Sequence, residues 1–214
     1  MSDDTSATPP AHRAGAVTFR DVFAVGEYRA IYLALIANWV GDYLARAAMT
    51  VLVYQQTRSV LLSAASFAIS YLPWIVGGPV LAALAERYPY RRVMIVCDVL
   101  RMALVGLVAL PGLPVGVVLA LAFLGMLTSP PTQAARSALL PLVLGRDRVV
   151  VALAVNATTA QGAQVVGYLV GATVAAASSP RLTIAGVALL FGSSALAIAL
   201  GVRSRPPART PRQR

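Results

Sequence analysis

Asp42 and Arg46 stand four positions apart, and Asp98 and Arg101 three apart, each pair inside a long apolar run of the chain. Side chains at these spacings share one face of an α-helix, so each carboxylate can meet the guanidinium one turn further on. At a rise of about 1.5 Å per residue, Asp42 and Arg46 both fall near the middle of their run. Charge at that depth in a bilayer costs several kcal/mol unless it is paired or hydrated. Two chemistries fit. The pairs can neutralise themselves and orient their helices, or they can form a proton or substrate site facing a wet cavity, with Asp42 as the proton-coupling residue and Arg46 tuning its affinity.

The elements that hold these residues are apolar almost throughout. A membrane-spanning helix needs about 20 predominantly apolar residues, and six runs reach or approach that length: 30–54, 60–85, 93–110, 114–132, 149–178 and 182–202. Gly77, Gly78 and Pro79 predict a kink in the second, and Pro130 and Pro131 stand near the end of the fourth. The chain is 58% hydrophobic and 12% charged with a mean hydropathy of +0.73, whereas soluble domains carry roughly 25% charged residues. The expectation is an all-α, polytopic membrane protein of six transmembrane helices. Residues 1–27 read as a mostly disordered cytoplasmic tail, 28–202 as the bundle and 203–214 as a basic cytoplasmic tail.

All eighteen basic residues are arginines, against eight acids. With the N-terminus inside, the inner side receives Arg13, Arg20, Arg29, Arg87, Arg91, Arg92, Arg136, Arg146, Arg148 and the five arginines from Arg203 to Arg214. The outer side keeps Arg58 and Arg181, and Arg46 and Arg101 stay within the membrane. Such an imbalance follows the positive-inside rule and predicts a plasma (inner) membrane protein with both termini cytoplasmic. It also accounts for the net charge of +10 without a nucleic-acid partner. The tail "RSRPPARTPRQR" can bind anionic lipid or RNA, but a topology anchor is the simpler role.

Several classes are excluded. One cysteine, Cys97, permits no intrachain disulfide, and the single histidine, His12, lies in the polar N-terminal stretch. A metal cluster or a Ser–His pair inside the membrane, as an intramembrane protease would need, is therefore not expected. No cofactor and no enzymatic activity are predicted.

Between the second and third runs, "AALAERYPYRRVMI" places Glu86, Arg87, Arg91 and Arg92 in a tight turn with Pro89. By charge this is a positive-inside loop. By residue order it resembles the signature loop of the major facilitator superfamily, with Leu84, Ala85, Arg87, Arg91 and Arg92 at matching places and Ala82, Glu86 and Tyr90 departing from the usual residues. The stretches 19–54 and 129–167 are similar to the first helix and the helix-four-to-five region of multidrug, macrolide and siderophore exporters of that superfamily. In the fifth run Ala163, Gly167 and Gly171 recur every four residues, a stripe that permits close helix packing. They also resemble an antiporter motif, although Tyr168 stands where that motif has proline. Asn156, Thr158, Thr159, Gln161 and Gln164 of the same run can line a polar route.

The resemblance implies two inverted three-helix repeats forming half of a twelve-helix fold, with Glu86, Arg87, Arg91 and Arg92 as a conformational lock. It implies proton-coupled efflux of a small hydrophobic molecule, a drug or siderophore. Alternating access rocks one bundle against another around a shared site, so partners beyond membrane lipid and the small-molecule substrate are expected: a second copy or a separate second half. The signature loop and the helix-five stripe would face that partner. The alternative is a truncated or partner-dependent membrane subunit without transport activity of its own.

Overall fold

The computed structural model describes residues 18–73, 80, 81, 83 and 87–205. Among them every regular element is helical: α1 (Phe19–Phe23), α2 (Gly26–Thr57), α3 (Val60–Ile69), α4 (Tyr90–Val108), α5 (Val115–Met126), α6 (Ser129–Leu144), α7 (Arg146–Ala177) and α8 (Pro180–Gly201). Three stretches are long and apolar enough to cross a membrane: Val115–Leu144, Arg146–Ala177 and Pro180–Gly201. The 32-residue α2 has the length as well; Glu27, Arg29, Asp42 and Arg46 lower its hydropathy. Helix α1 and the start of α2 occupy part of the stretch read from sequence as a tail. Of the second run, α3 and residues 72, 73, 80, 81 and 83 are described as helical, and the kink expected at Gly77–Pro79 lies outside the described residues.

The fourth run differs from the expectation. Pro130 and Pro131 do not end it; they sit in the first turn of α6, where a missing N–H breaks no hydrogen bond and the fixed φ suits the helix. The chain therefore continues helical to Leu144 and stops at Gly145, whose φ of 75° favours glycine. As a result Arg136, assigned by charge to an inner loop, lies in mid-helix and is buried.

Contacts along the bundle fix its directions. Ala30 meets Gly201, Asn38 meets Ser194 and Gly41 meets Phe191, so α2 and α8 run antiparallel. Tyr28 meets Asn156, Tyr43 meets Gly167 and Leu44 meets Gly171, so α2 and α7 run parallel. Arg91 reaches Ala199, and Met102 touches Gly192, which sets α4 antiparallel to α8. Two apolar clusters fill the interior. One, around Tyr28, Ile31, Met94, Leu139 and Ile198, lies at the end where α2 begins. The other, around Met49, Leu52, Val105, Ile184 and Phe191, lies toward the opposite end. In lipid such packing holds helices by close contact rather than by excluding water, and the polar residues gather between the clusters.

Candidate transport site

The hub of that polar layer is Arg101. Its Nη1 donates to Asp42 Oδ1 at 3.0 Å and to Asn38 Oδ1 at 3.1 Å, both on α2. Its Nε donates to Thr128 Oγ1 at 3.0 Å and its Nη2 to Ser129 Oγ at 2.5 Å, at the α5–α6 junction. The Phe191 ring of α8 lies 4.8 Å from the guanidinium carbon. One buried side chain thus ties α2, α4, α6 and α8 together, and its planar fork suits that many directed bonds.

Asp98, fully buried one turn before Arg101, belongs to a second branch of the layer. Asn38 Nδ2 donates to Ser194 Oγ at 2.6 Å, and Ser194 Oγ donates to Asp98 Oδ2 at 2.5 Å. Asn38 Nδ2 also reaches Asp98 Oδ2 directly, at 3.3 Å. The other oxygen, Oδ1, has no hydrogen-bond partner among the described residues. A buried acceptor left in that state is costly, and it offers a place for a proton or a water.

The pairing expected within each helix is replaced by pairing between helices. Asp42 meets Arg101 across the α2–α4 boundary, and Asp98 is held by neutral donors. Arg46 instead lies 4.6 Å from the centre of the Tyr71 ring and 5.4 Å from that of Tyr43. The cause is rotational: Asp42 looks into the bundle, while Arg46 is directed at an aromatic cluster of Tyr43, Phe67, Tyr71 and Tyr168. Within it the Tyr71 and Tyr168 hydroxyls approach to 3.1 Å.

The layer opens onto a groove along α2. A cleft of about 250 Å³ is lined by Trp39, Asp42, Tyr43, Arg46 and Tyr71. On the far side of Trp39, a cleft of about 230 Å³ is lined by residues including Leu35, Gln133, Arg136, Leu140 and Asn156. A narrow pocket between Asn38, Asp42, Arg101, Ser129 and Arg136 connects the layer to both by shared residues. Arg136, 6.0 Å from the Trp39 ring, makes among the described residues only a long hydrogen bond of 3.4 Å to Gln133 Oε1. Asn38, Trp39 and Ser194 escaped the sequence reading, and Arg136 was assigned there to an inner loop. Carrying the helix past Pro131 would have brought Arg136 into the membrane; neutral Asn38 and Ser194 gave no signal in an apolar run.

The other candidate residues go to different places. Ala163, Gly167 and Gly171 are buried, and both glycines lie against α2 of the same bundle. A Cβ on Gly167 would stand 2.5 Å from Tyr43 Cβ, and one on Gly171 would stand 2.9 Å from Leu44 Cα. The stripe therefore does not face a partner, as expected from sequence; it is spent on α2. Asn156 and Thr159 are likewise tied to α2, through the Tyr28 and Tyr32 hydroxyls.

In the signature loop, Arg91 Nη2 donates to the Ala199 carbonyl at the end of α8, at 2.6 Å, where a cation complements the helix C-terminus. Arg92 points the other way, onto an apolar groove with Tyr88, Val96, Cys97 and Pro131, and Arg87 is exposed. Glu86 lies outside the described residues.

No curated protein and no solved structure gives a significant match to the chain. The family model described as Major Facilitator Superfamily matches residues 31–214, a stretch that contains the whole polar layer and the groove beside it. Members of that family are membrane transporters rather than enzymes, and this chain, with its apolar helices around a charged interior, belongs to the major facilitator superfamily.

Proposed function

We propose that the protein carries out proton-coupled efflux of a small, largely apolar molecule, a drug or siderophore, through the groove beside Trp39. The observation that carries this reading is the buried Asp42–Arg101 pair at 3.0 Å. It joins two helices and borders the groove. Protonation of Asp42 removes its charge and weakens its hold on Arg101; deprotonation restores the pair. Asp98, with one oxygen unpartnered among the described residues, is a second proton acceptor in the same layer. Because the pair bridges helices, its charge state is coupled to their relative position, as alternating access requires.

In this reading α2, the second run from α3 onward, α4, the α5–α6 span, α7 and α8 make six crossings of the inner membrane in two inverted repeats, with both termini cytoplasmic. The adjacency of the two ends supports it: Glu27 at the start of α2 forms ion pairs with Arg205 Nη2 at 2.7 Å and with Arg203 Nε at 3.6 Å, just beyond α8. The arginine-rich loop then lies on the same inner side, where Glu86, Arg87, Arg91 and Arg92 form the conformational lock, Arg91 engaging the end of α8.

The test is transport by the full chain in proteoliposomes with an imposed pH gradient. Asp42→Asn is expected to abolish the dependence on the gradient. Unchanged gradient dependence in that variant would overturn proton coupling at Asp42.

A second reading is favoured by the open flank of the groove, where Tyr71 and Leu153 are exposed. One bundle supplies one wall, so the chain acts as a partner-dependent membrane subunit, closed by a second copy or another bundle. Full transport by a protein shown to be monomeric in the bilayer would exclude it.

A further inference from the structure

Charge in the interior does not balance. Within the described helices, Asp42 and Asp98 face Arg46, Arg101 and Arg136, all five buried. Asp42 is committed to Arg101, and Asp98 is held by Ser194 and Asn38. Neither Arg46 nor Arg136 meets a carboxylate at ion-pair distance among the described residues, and the Nε of each lacks a hydrogen-bond partner there. Both residues are largely buried, with relative exposures of 7% and 5%. A buried cation without a counter-ion is unfavourable. The aromatic faces over Arg46 offset part of that cost; an anion would offset far more.

Both arginines line the groove, one on each side of Trp39. Trp39 and Tyr43 are one turn apart on α2, and Tyr71 joins them from the second run. Flat rings beside an under-satisfied guanidinium make a site with an apolar wall and a cationic edge. Such a site accepts a planar apolar body that ends in negative charge, and three guanidiniums against two carboxylates repel a cation.

We propose that the groove centred on Trp39 binds an organic anion with a planar apolar body, of the aromatic carboxylate class, with Arg46 and Arg136 holding the anion and Trp39, Tyr43 and Tyr71 packing its ring. This rests on reading the groove as the transport site and narrows its substrate to anions. Arg46 and Arg136 are binding residues in this assignment, whereas Asp42 and Asp98 carry the proton.

The test is calorimetric titration of the full chain in lipid nanodiscs, with empty nanodiscs as blank. Three probes share one ring system: 2-naphthoate, its neutral amide 2-naphthamide, and the cation 2-naphthylmethyl-trimethylammonium. Naphthoate is expected to bind saturably and at least about tenfold more tightly than the amide, the scale of one charge-assisted hydrogen bond, and the cation not at all. Arg46→Gln and Arg136→Gln should each reduce the preference for naphthoate, Arg46→Lys should keep part of it, and Arg181→Gln, remote from the groove, should leave it intact. Monodisperse elution of each variant certifies its fold.

The proposal is overturned if the three probes bind alike, if the cation binds best, if the preference survives both glutamine substitutions, or if no probe binds saturably. The titration needs no proton gradient. Loss of the anion preference therefore leaves proton coupling standing, and loss of gradient dependence leaves the anion site standing.

Discussion

The Asp42 carboxylate sits 3.0 Å from the Arg101 guanidinium on a neighbouring helix, while Arg46, one turn along its own helix, lies under the Tyr71 ring. The residue that answers a buried charge is chosen here by the rotation of packed helices, and sequence proximity does not decide it.

Removing one member of that pair strands the other. Arg101→Leu is expected to destabilise the fold by about 3–5 kcal/mol, the cost of an uncompensated buried charge and its unpaired neighbours. Asp42→Asn should cost less, because Asn38, Thr128 and Ser129 still accept from Arg101. Reversible unfolding in mixed micelles measures both. Equal losses in the two variants would contradict the hub role of Arg101.

Helices α2 and α7 touch through glycine. Gly171→Val places atoms where Leu44 Cα already lies within 2.9 Å of a first Cβ, and overpacking of that kind costs about 1–3 kcal/mol. Gly162→Val, at a position with nothing within 4 Å of an added Cβ, should change stability little. Thermal unfolding of the two variants separates a packing seam from a general intolerance of the helix to valine.

Arg91 closes the end of α8 through the Ala199 carbonyl. Arg91→Ala should destabilise by about 0.5–2 kcal/mol and speed amide exchange over the last turn of α8. Arg92→Ala, whose side chain turns to the apolar groove, should leave that exchange unchanged. If both variants behave alike, the loop acts by charge alone and not by this contact.

The short helix α1 begins with a pH-sensitive contact. The Thr18 backbone N–H and hydroxyl both donate to Asp21 Oδ2, at 2.9 and 2.7 Å. The backbone bond first, and the hydroxyl second, hold the Asp21 carboxyl below its ordinary range. A carboxyl lowered in the folded state stabilises fully above its unfolded value, about 3.9, and loses that contribution as pH falls through the folded value. Protection of the Val22 and Phe23 amides against exchange, taken relative to the intrinsic rate at each pH, should therefore fall on acidification, and Asp21→Asn should flatten the profile.

Much of the helical framework was legible because apolar length is written directly into composition. The charged residues were legible as buried: Asp42, Asp98 and Arg101 lie between α2, α4, α6 and α8, and Arg46 lies against Tyr43 and Tyr71. Their partners were not, because a one-dimensional spacing rule sees neighbours on a helix and is blind to the helix opposite. Arg136 was misplaced for a local reason. Two prolines read as a stop when they stood at a start, and the stretch from Gln133 to Leu144 changed from loop to helix. The glycine stripe was recognised as a packing surface, yet its counterpart, the Tyr43–Ala47 side of α2, carries no small-residue signature to match.

Arg101 keeps three hydroxyl or amide acceptors and a ring face besides its carboxylate. Neutralising Asp42 thus changes the electrical state of the core while the guanidinium stays moored. Under the proposed mechanism the helices would slide only as far as those remaining tethers allow, and the interior would work as a clutch that disengages by degrees rather than as a latch that springs open.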